Sequence, residues 1–334
     1  MSNIVYLFGA GASAKCLPPV ADMPARMEQM IKFLQDEKDK LSLNAEQESL
    51  FKTLLDDLKW LMQESKNHAT IDTFARKVFI TKGEYSDEYK RLKDVLSVYF
   101  ALEQAKNKFD DRYDTLWTTI LDEEGNLPAN IRFISWNYDI QMDLAALQYI
   151  QHGWLYDVKK KFLPTLEKLV PGNNISACKV LKLNGTAGVV VHKLNLPYYC
   201  FETYSESLNT KLHHILAEYF ALRSKKDTSN ILSYSWEKSE NIEYDNALRS
   251  YSDTDVLVVI GYSFPFFNRK IDRIILQSMI NGNLKKIYVQ DKSNAENIKQ
   301  RIYSVIGEDS FNKKSNIHII PISDCDNFYI PYEL

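Results

Sequence analysis

The chain has 334 residues, of which 45% are hydrophobic and 25% are charged, values typical of an ordinary folded globular protein. A net charge of -3 gives no overall attraction to nucleic acid, and no apolar run approaches the roughly 20 residues of a membrane span. Met1 to Ala14 also lacks the basic start of a secretion signal. We therefore expect a cytoplasmic protein that contacts neither nucleic acid nor a membrane directly.

The cysteines and histidines do not form the spacing patterns of a metal site. Cys16, Cys178, Cys200 and Cys325 are scattered, so the sequence contains neither a C-x-x-C zinc ribbon nor a dense disulfide framework. The six histidines offer no H-E-x-x-H or comparable spacing. We expect no metal site and, in particular, no structural zinc.

Short apolar runs that end in turn-forming residues predict buried strands. The predicted strands cover residues 4–8, 131–135, 179–183, 256–260, 287–290 and 317–320. Six such runs favour a mostly parallel sheet. In the last third they alternate with predicted helices, one over 269–280 and one opened by a capping box of Ser293 and Glu296 and ended by Gly307.

Amphipathic helices are predicted between the first and the second strand. Apolar residues repeat there at intervals of three and four, as in Leu50, Leu54, Leu58 and Leu61, and again in Tyr89, Leu92, Leu96 and Phe100. The stretch is too long for a simple crossover, so we interpret residues 25–125, approximately, as a helical insertion. The predicted fold class is α/β, with a Rossmann-like doubly wound, mostly parallel sheet in one domain over residues 1–334. The aromatic-rich insertion is expected either to cover its own sheet or to expose an apolar face for self-association or a partner.

The first predicted strand ends in the turn Gly9-Ala10-Gly11-Ala12-Ser13, which fits G-x-G-x-x-A with Ala14. In that pattern the first glycine permits the tight turn, the second lets the backbone approach a pyrophosphate, and the small third residue allows close helix packing. The N–H groups of a following helix would then face the phosphates, and Ser13 would add a hydroxyl. A glycine turn after a strand is also often only a turn.

The region after this turn does not fit a dehydrogenase. Such an enzyme requires a second strand and an acidic residue roughly 20 positions further on to hold the ribose. The corresponding stretch, "ARMEQMIKFLQ", predicts a helix. This difference counts against hydride transfer and leaves nucleotide binding open.

Other predicted strands also deliver polar residues to the carboxyl edge of the sheet, where ligands of open α/β sheets bind. These residues are Asn137 and Asp139, Asn184 with Gly185, the run Gly261, Tyr262 and Ser263, and Asp291. Asp291 is placed to hold an adenosine ribose. For Asn137 and Asp139, an Asx turn and a helix N-cap are the structural alternative.

Taken in order, these motifs resemble the sirtuin-like family, and its bacterial anti-phage defence branch more closely than its protein deacetylases. The turn Gly9 to Ser13 matches the family's glycine–alanine–glycine turn, and Asn137-x-Asp139 matches its asparagine–x–aspartate. Leu183-x-Gly185 corresponds to its leucine–histidine–glycine and Gly261-Tyr262-Ser263 to its glycine–threonine–serine. The deacetylases carry a four-cysteine zinc ribbon, which this sequence lacks.

The resemblance implies NAD binding and cleavage of the bond between nicotinamide and ribose by water, so that NAD is depleted in infected cells. NAD would then be contacted by Gly9, Ala10, Gly11, Ala12, Ser13, Asn137, Asp139, Gly261, Tyr262, Ser263 and Asp291. The defence branch often acts under the control of a second domain or a partner protein, such as a defence ATPase, or as a homo-oligomer.

Of the residues expected to act in catalysis, Asn137, Asp139 and Asn184, the last departs from the family. Asn184 stands where the family has its presumed general base, a histidine, and an amide cannot accept a proton near pH 7. A relocated base would be Asp139, His152 or His192. We expect an NAD+ hydrolase, with a catalytically weak or inactive subunit that binds NAD or ADP-ribose in a defence complex as the alternative.

Overall fold

The structure is a computed structural model that describes residues 1–150, 153–170, 175–192, 197–200, 206–224, 228–307 and 317–334. Its strands in chain order are β1 (Ile4–Phe8), β2 (Ile131–Ser135), β3 (Thr165–Glu167), β4 (Val180–Lys182), β5 (Val189–His192), β6 (Pro197–Tyr199), β7 (Thr228–Asn230), β8 (Val256–Ile260), β9 (Lys286–Gln290) and β10 (His318–Ile322). Seven of them form one parallel sheet in the order β10-β9-β8-β1-β2-β4-β3. Strands β6, β5 and β7 form a small antiparallel sheet. The predicted fold class is confirmed.

Helices cover both faces of the large sheet. They are α1 (Met23–Glu37), α2 (Ala45–Asn67), α3 (Ile71–Lys82), α4 (Asp87–Lys106), α5 (Asp111–Ile120), α6 (Gln141–Ala146), α7 (Leu155–Asp157), α8 (Leu208–Ser224), α9 (Ile242–Ala247), α10 (Arg269–Asn281) and α11 (Ala295–Ile306). The five helices α1 to α5 lie between β1 and β2, where the helical insertion was predicted. Among the described residues, no helix is both long enough and apolar enough to cross a membrane.

The alternation of side chains along β1 explains the layers. Ile4, Tyr6 and Phe8 point to one face of the sheet and pack in one core with the apolar sides of α1 to α5 and α8. Val5 and Leu7 point to the other face and pack with α9, α10 and α11. Because β1 is apolar on both faces, it forms the fully buried centre of the fold.

Candidate functional site

The residues that follow the central strands meet at one edge of the sheet. Phe8 lies opposite Ser135 on β2 and opposite Ile260 on β8, so the chain leaves all three strands at the same level. From β1 the chain first builds β2, β3 and β4 on one side of the sheet. It later returns to the other side of β1 and builds β8, β9 and β10 outward, so the strand order reverses between β1 and β8. Open parallel sheets bind their ligands at such a reversal point.

Two glycine turns pack directly on each other at this point. The N–H of Gly9 donates to the carbonyl of Ile260 and that of Gly11 to the carbonyl of Gly261, both at 3.0 Å. A Cβ on Gly11 would lie 2.7 Å from the Cα of Gly261, whose own φ is +59°. The approach of the two backbones therefore requires these glycines, with or without a phosphate. For the same reason, Gly11→Val would disturb the turns themselves and would not isolate a phosphate contact.

The chain after the glycine turn differs from the prediction. Ala10–Ser13 form one short 3-10 turn, and the first long helix begins only at Met23. Pro18 and Pro19 explain the difference, because proline lacks the N–H that a continuing helix uses and its ring clashes with the preceding turn. The helix start predicted after the glycine turn is therefore this short 3-10 turn and not the beginning of a long helix.

A buried ion pair supports the glycine turn. Nη2 of Arg112 donates to the carbonyls of Gly11 and Ala12, both at 3.1 Å, and to the Asp110 carboxylate at 2.7 Å. This guanidinium satisfies the turn's carbonyls while Asp110 balances its charge. No local sequence pattern indicates this contact, because Arg112 lies in the insertion, 100 residues from Ala12.

A cavity of about 460 Å³ opens between the two glycine turns and the ends of β9 and β10. Its wall includes Gly11, Ala14 and Arg112 on one side, and Gly261, Asp291 and Asp324 on the other. The volume is typical of small-molecule sites. Ala14, expected to allow close helix packing, is instead exposed in this wall.

Asp291 reaches the cavity wall as part of a turn. Its Oδ1 accepts hydrogen bonds from the N–H groups of Ser293 at 3.0 Å and Asn294 at 2.8 Å. Helix α11 begins after Asn294 and has no side-chain cap, so the predicted capping box of Ser293 and Glu296 was wrong. The Asp291 carboxylate binds the N–H groups at this end instead, and its Oδ2 is the oxygen left to accept a bond from a ribose hydroxyl.

Ser13 connects the glycine turn to the segment after β2. Its Oγ lies 3.2 Å from the hydroxyl of Tyr113, and Nδ2 of Asn137 donates to it at 3.4 Å. Ser13, Asn137 and Asp139 are all buried, with exposed fractions of 1%, 6% and 7%. The structure thus brings these predicted residues together next to the cavity, and it adds Tyr113 from α5, which the sequence analysis missed.

Asp139 forms the Asx turn that was considered as the structural alternative. Its Oδ1 accepts from the N–H of Gln141 at 3.1 Å, whereas α6 has Ile140 as its N-cap residue and no side-chain cap. Burial raises the pKa of the Asp139 carboxyl, and the nearby Lys182 ammonium and the Gln141 N–H oppose the rise. A carboxylate with a raised pKa is a better proton acceptor than an exposed one, so the turn is compatible with a chemical role.

Lys182 is a charged residue of this site that the sequence analysis missed. It ends β4, is 2% exposed, and donates through Nζ to the carbonyls of Asn137 at 3.0 Å and Asp139 at 2.5 Å. Burial lowers the pKa of its ammonium group, and the carboxylates of Asp139 and Asp143 oppose this effect. A lysine within the apolar run "VLKL" was the available signal, because lysines are seldom fully buried without partners.

Asn184 has one free oxygen at the end of β4. Its Nδ2 donates to the carbonyl of Trp136 at 2.9 Å, while its buried Oδ1 has no hydrogen-bond partner among the described residues. Gly185 has φ of +68°, and a Cβ there would lie 1.9 Å from the carbonyl oxygen of Ile231, so this position requires glycine. Asn184 is therefore oriented by the chain around it and retains one acceptor for a ligand or a water molecule.

Tyr262 and Ser263 are not brought to the cavity by their side chains. The ring of Tyr262 stacks on Trp136 with centroids 5.9 Å apart, and its hydroxyl donates to Asp272 at 2.8 Å. Ser263 is exposed, and its carbonyl accepts from Arg301 at 2.8 Å. In this segment only Gly261 lines the cavity.

The buried carboxyl of Asp272 predicts a pH-dependent stability. Burial raises its pKa to about 8, although Tyr262 and Trp136 donate to it. Since the folded-state pKa lies above the unfolded one, the contribution to stability is complete below about pH 4 and is lost as the pH rises toward 8. We expect the wild type to lose up to about 1.4 kcal/mol of unfolding free energy per pH unit relative to Asp272→Asn across this window.

Denaturant unfolding of both proteins at several pH values measures the difference. The exposed Asp22→Asn is the control, and parallel pH profiles for wild type and Asp272→Asn would contradict the expectation.

The metal and histidine predictions concern the cysteines, of which Cys325 lines the cavity, and histidines of which two lie outside the described side chains. In the described ranges, no group of three or more His, Cys, Asp or Glu side chains is placed to hold a metal ion, and the four cysteines are free. His152 and the side chain of His192 lie outside the described residues. Asp139 is thus the alternative base whose surroundings the structure describes.

Comparison with known proteins adds no assignment to this geometry. No family model matches the chain, and no curated protein matches it.

Proposed function

We propose that the chain binds NAD+ at the carboxyl edge of the sheet and hydrolyses the bond between nicotinamide and ribose. The observation that carries the proposal is the cavity at the β1/β8 reversal point, next to the buried group of Ser13, Asn137 and Asp139. Asp291 supplies an acceptor for an adenosine ribose on the far wall. The resemblance to the sirtuin-like defence branch supports the same substrate.

The proposed reaction needs little from the protein beyond position and charge. Water adds to the anomeric carbon of the ribose, the bond to the pyridinium nitrogen breaks, and nicotinamide leaves as a neutral molecule that keeps the bonding electrons. The proton of the attacking water passes to the Asp139 carboxylate, and the products are ADP-ribose, nicotinamide and a proton. Asn137 orients the water, and the negative charge of Asp139 stabilises an oxocarbenium-like transition state.

A second candidate is a subunit that binds the dinucleotide without cleaving it. The burial of Asn137, Asp139 and Asn184, each at most 8% exposed, favours this alternative, because the cavity wall contains none of the three. Asn184 also lacks the titratable nitrogen of a histidine. Binding and turnover must therefore be measured separately.

The cavity offers a substitution that blocks the ligand without touching the turns. We expect Ala14→Phe to weaken binding of NAD+ and ADP-ribose at least about tenfold, because an exposed small residue of the wall becomes a bulky one. Ala21→Phe, at an exposed alanine outside the cavity wall, is the matched control and retains wild-type affinity. Calorimetry measures binding, and chromatography of the same samples measures nicotinamide. Equal affinities for both variants would contradict the site, and binding without nicotinamide release would favour the second candidate.

By resemblance, we further propose an effector of anti-phage defence that acts with a partner protein, such as a defence ATPase, or as a homo-oligomer. Ile80 and Tyr85 on the helical insertion are exposed at 66% and 93% and offer a partner an apolar contact. Nicotinamide release is therefore measured with and without the neighbouring gene product.

A further inference from the structure

Lys182 ends β4 beneath the Asn137–Asp139 segment. We propose that Lys182 is a positioning residue, whose ammonium group holds Asn137 and Asp139 in place through their backbone carbonyls. The inference rests on the proposed function, since it concerns the same two residues. It does not depend on how the dinucleotide occupies the cavity, because Lys182 is absent from the cavity wall.

The hydrogen bonds fix the segment at two points. Nζ of Lys182 lies 3.0 Å from the carbonyl oxygen of Asn137 and 2.5 Å from that of Asp139. The two carbonyls flank Tyr138, so one ammonium group fixes the backbone on both sides of this residue. Asn137 receives a further restraint from Ser135, whose Oγ accepts its N–H at 3.1 Å. The side chains that make these bonds, Lys182 as donor and Ser135 as acceptor, come from strand residues, and elements of this kind hold catalytic groups more accurately than free loops.

Tyr138 is held by other contacts as well, since its carbonyl accepts the N–H of Ala187 at 2.7 Å. Its hydroxyl donates to Asp72 of α3 at 3.1 Å, and its ring lies 5.5 Å from the ring of Phe100 of α4. Both contacts orient the side chain toward the helical insertion. Lys182 binds the carbonyls on either side of Tyr138, so removal of its ammonium group loosens the two peptide groups that the Tyr138 contacts do not restrain.

The electrostatic surroundings explain how a charged lysine is retained in the interior. A buried ammonium group costs several kcal/mol unless other groups compensate for lost water. Besides the two carbonyls, the carboxylates of Asp139, Asp143 and Glu167 stabilise the charged form of Lys182 and raise its pKa. The ammonium group of Lys159 has the opposite effect. Lys159 is itself paired with Glu167 at 2.8 Å. An apolar residue at position 182 would avoid the cost of burying a charge. The hydrogen bonds of the ammonium group to the carbonyls of Asn137 and Asp139 are what such a residue would lack.

The charge of Lys182 also bears on the ionisation of Asp139. The groups that face Asp139 are Tyr113 from α5, Asp143 from α6, Ser13 after β1, and Lys182 from β4. Of these, Lys182 is the cation, and it lowers the pKa of the Asp139 carboxyl while Asp143 and burial raise it. Removal of the cation therefore moves the ionisation of Asp139 to higher pH.

Two substitutions separate the hydrogen bonds from the charge. Lys182→Met removes both, and we expect kcat for nicotinamide release to fall about 10²-fold with little change in KM. Lys182→Gln keeps a side-chain N–H donor but removes the charge, so we expect its kcat to lie between those of Lys182→Met and the wild type. In both variants the acid limb of the pH profile moves to higher pH. The control is Lys179→Met, because Lys179 precedes β4 and donates to the carbonyls of Pro128 and Ala129, both at 3.0 Å, at the opposite end of β2 from this segment.

A second measurement does not require activity. Hydrogen exchange at the Gln141 amide, which donates to Asp139, is expected to speed up in Lys182→Met and Lys182→Gln and to stay unchanged in Lys179→Met. If the wild type releases no nicotinamide, the proposed function fails, while the exchange rates still test the positioning. Wild-type exchange in both Lys182 variants, or equal changes in the Lys182 and Lys179 variants, would overturn the inference.

Discussion

Asn137→Ala is expected to slow nicotinamide release from NAD+ at least about 10²-fold, because small errors in the position of reacting groups have effects of this size. The amide of Asn137 donates to Ser13 and lies with Asp139 beside the cavity, so its loss removes both a contact and the orientation of the water. Binding of ADP-ribose should change much less, since Asn137 is outside the cavity wall. Release of nicotinamide is followed by chromatography under saturating NAD+.

The control for this experiment is Asn130→Ala, at the opposite end of β2. Asn130 also uses its side-chain amide, which donates to the carbonyl of Ser2 at 2.7 Å. A similar rate loss in both variants would mean that the effect arises from the strand and not from the site.

Asn184→His provides the converse test. A histidine there restores the family's base and is expected to raise a slow rate by up to about 10²–10⁴-fold. If wild type and Asn184→His are both inactive while NAD+ binds, the hydrolase proposal is wrong.

Gly261→Ala is expected to lower the free energy of unfolding by about 4 kcal/mol or more, among the largest effects of a single substitution. Two costs combine there. Alanine is disfavoured at φ of +59°, and its Cβ would lie 2.5 Å from the Cα of Gly11, where both neighbours are backbone. Denaturant unfolding gives the stability, and the loss of ADP-ribose binding gives the effect on the cavity.

Gly125→Ala separates the two costs. Gly125 has a φ of +78°, but nothing lies within 4 Å of a Cβ added there. We expect this variant to lose only about 1–2 kcal/mol, the cost of the left-handed conformation alone. Losses of equal size in the two variants would show that the approach of the glycine turns contributes nothing to stability.

The sequence predicted the central strands well and the peripheral ones poorly. Strands β1, β2 and β8 have the predicted bounds, because each is a run of five residues, apolar or nearly so, bounded by turn-forming residues. Strand β3 was missed, since Thr165–Glu167 has only three residues and polar ends. The small antiparallel sheet was missed for the same reason, as its strands have three or four residues. A run of three or four residues is too short to show the two-residue alternation of apolar and polar side chains that identifies a strand.

The candidate site was predictable in its residue types but not in its contacts. Polar residues at the ends of parallel strands meet at one edge by the geometry of such sheets, and this placed Ser13, Asn137 and Asp139 near one another. No local pattern indicates that Gly11 touches Gly261, or that Arg112 supports the turn, because these contacts join distant parts of the chain. At Asp291, the pattern indicated the wrong capping residue, since several side chains nearby compete for the same N–H groups.

The position of β1 in the middle of the sheet has a consequence for synthesis on the ribosome. The chain is made from its amino end, so β1 emerges first and pairs with β2 long before β8 exists. Until then its other edge exposes unpaired N–H and C=O groups, which invite pairing with other nascent chains. The second wall of the cavity, with Gly261, Asp291 and Asp324, is among the last parts to be translated. A stalled or truncated product therefore has the glycine turn but no cavity, and only the nearly finished polypeptide contains both of its walls.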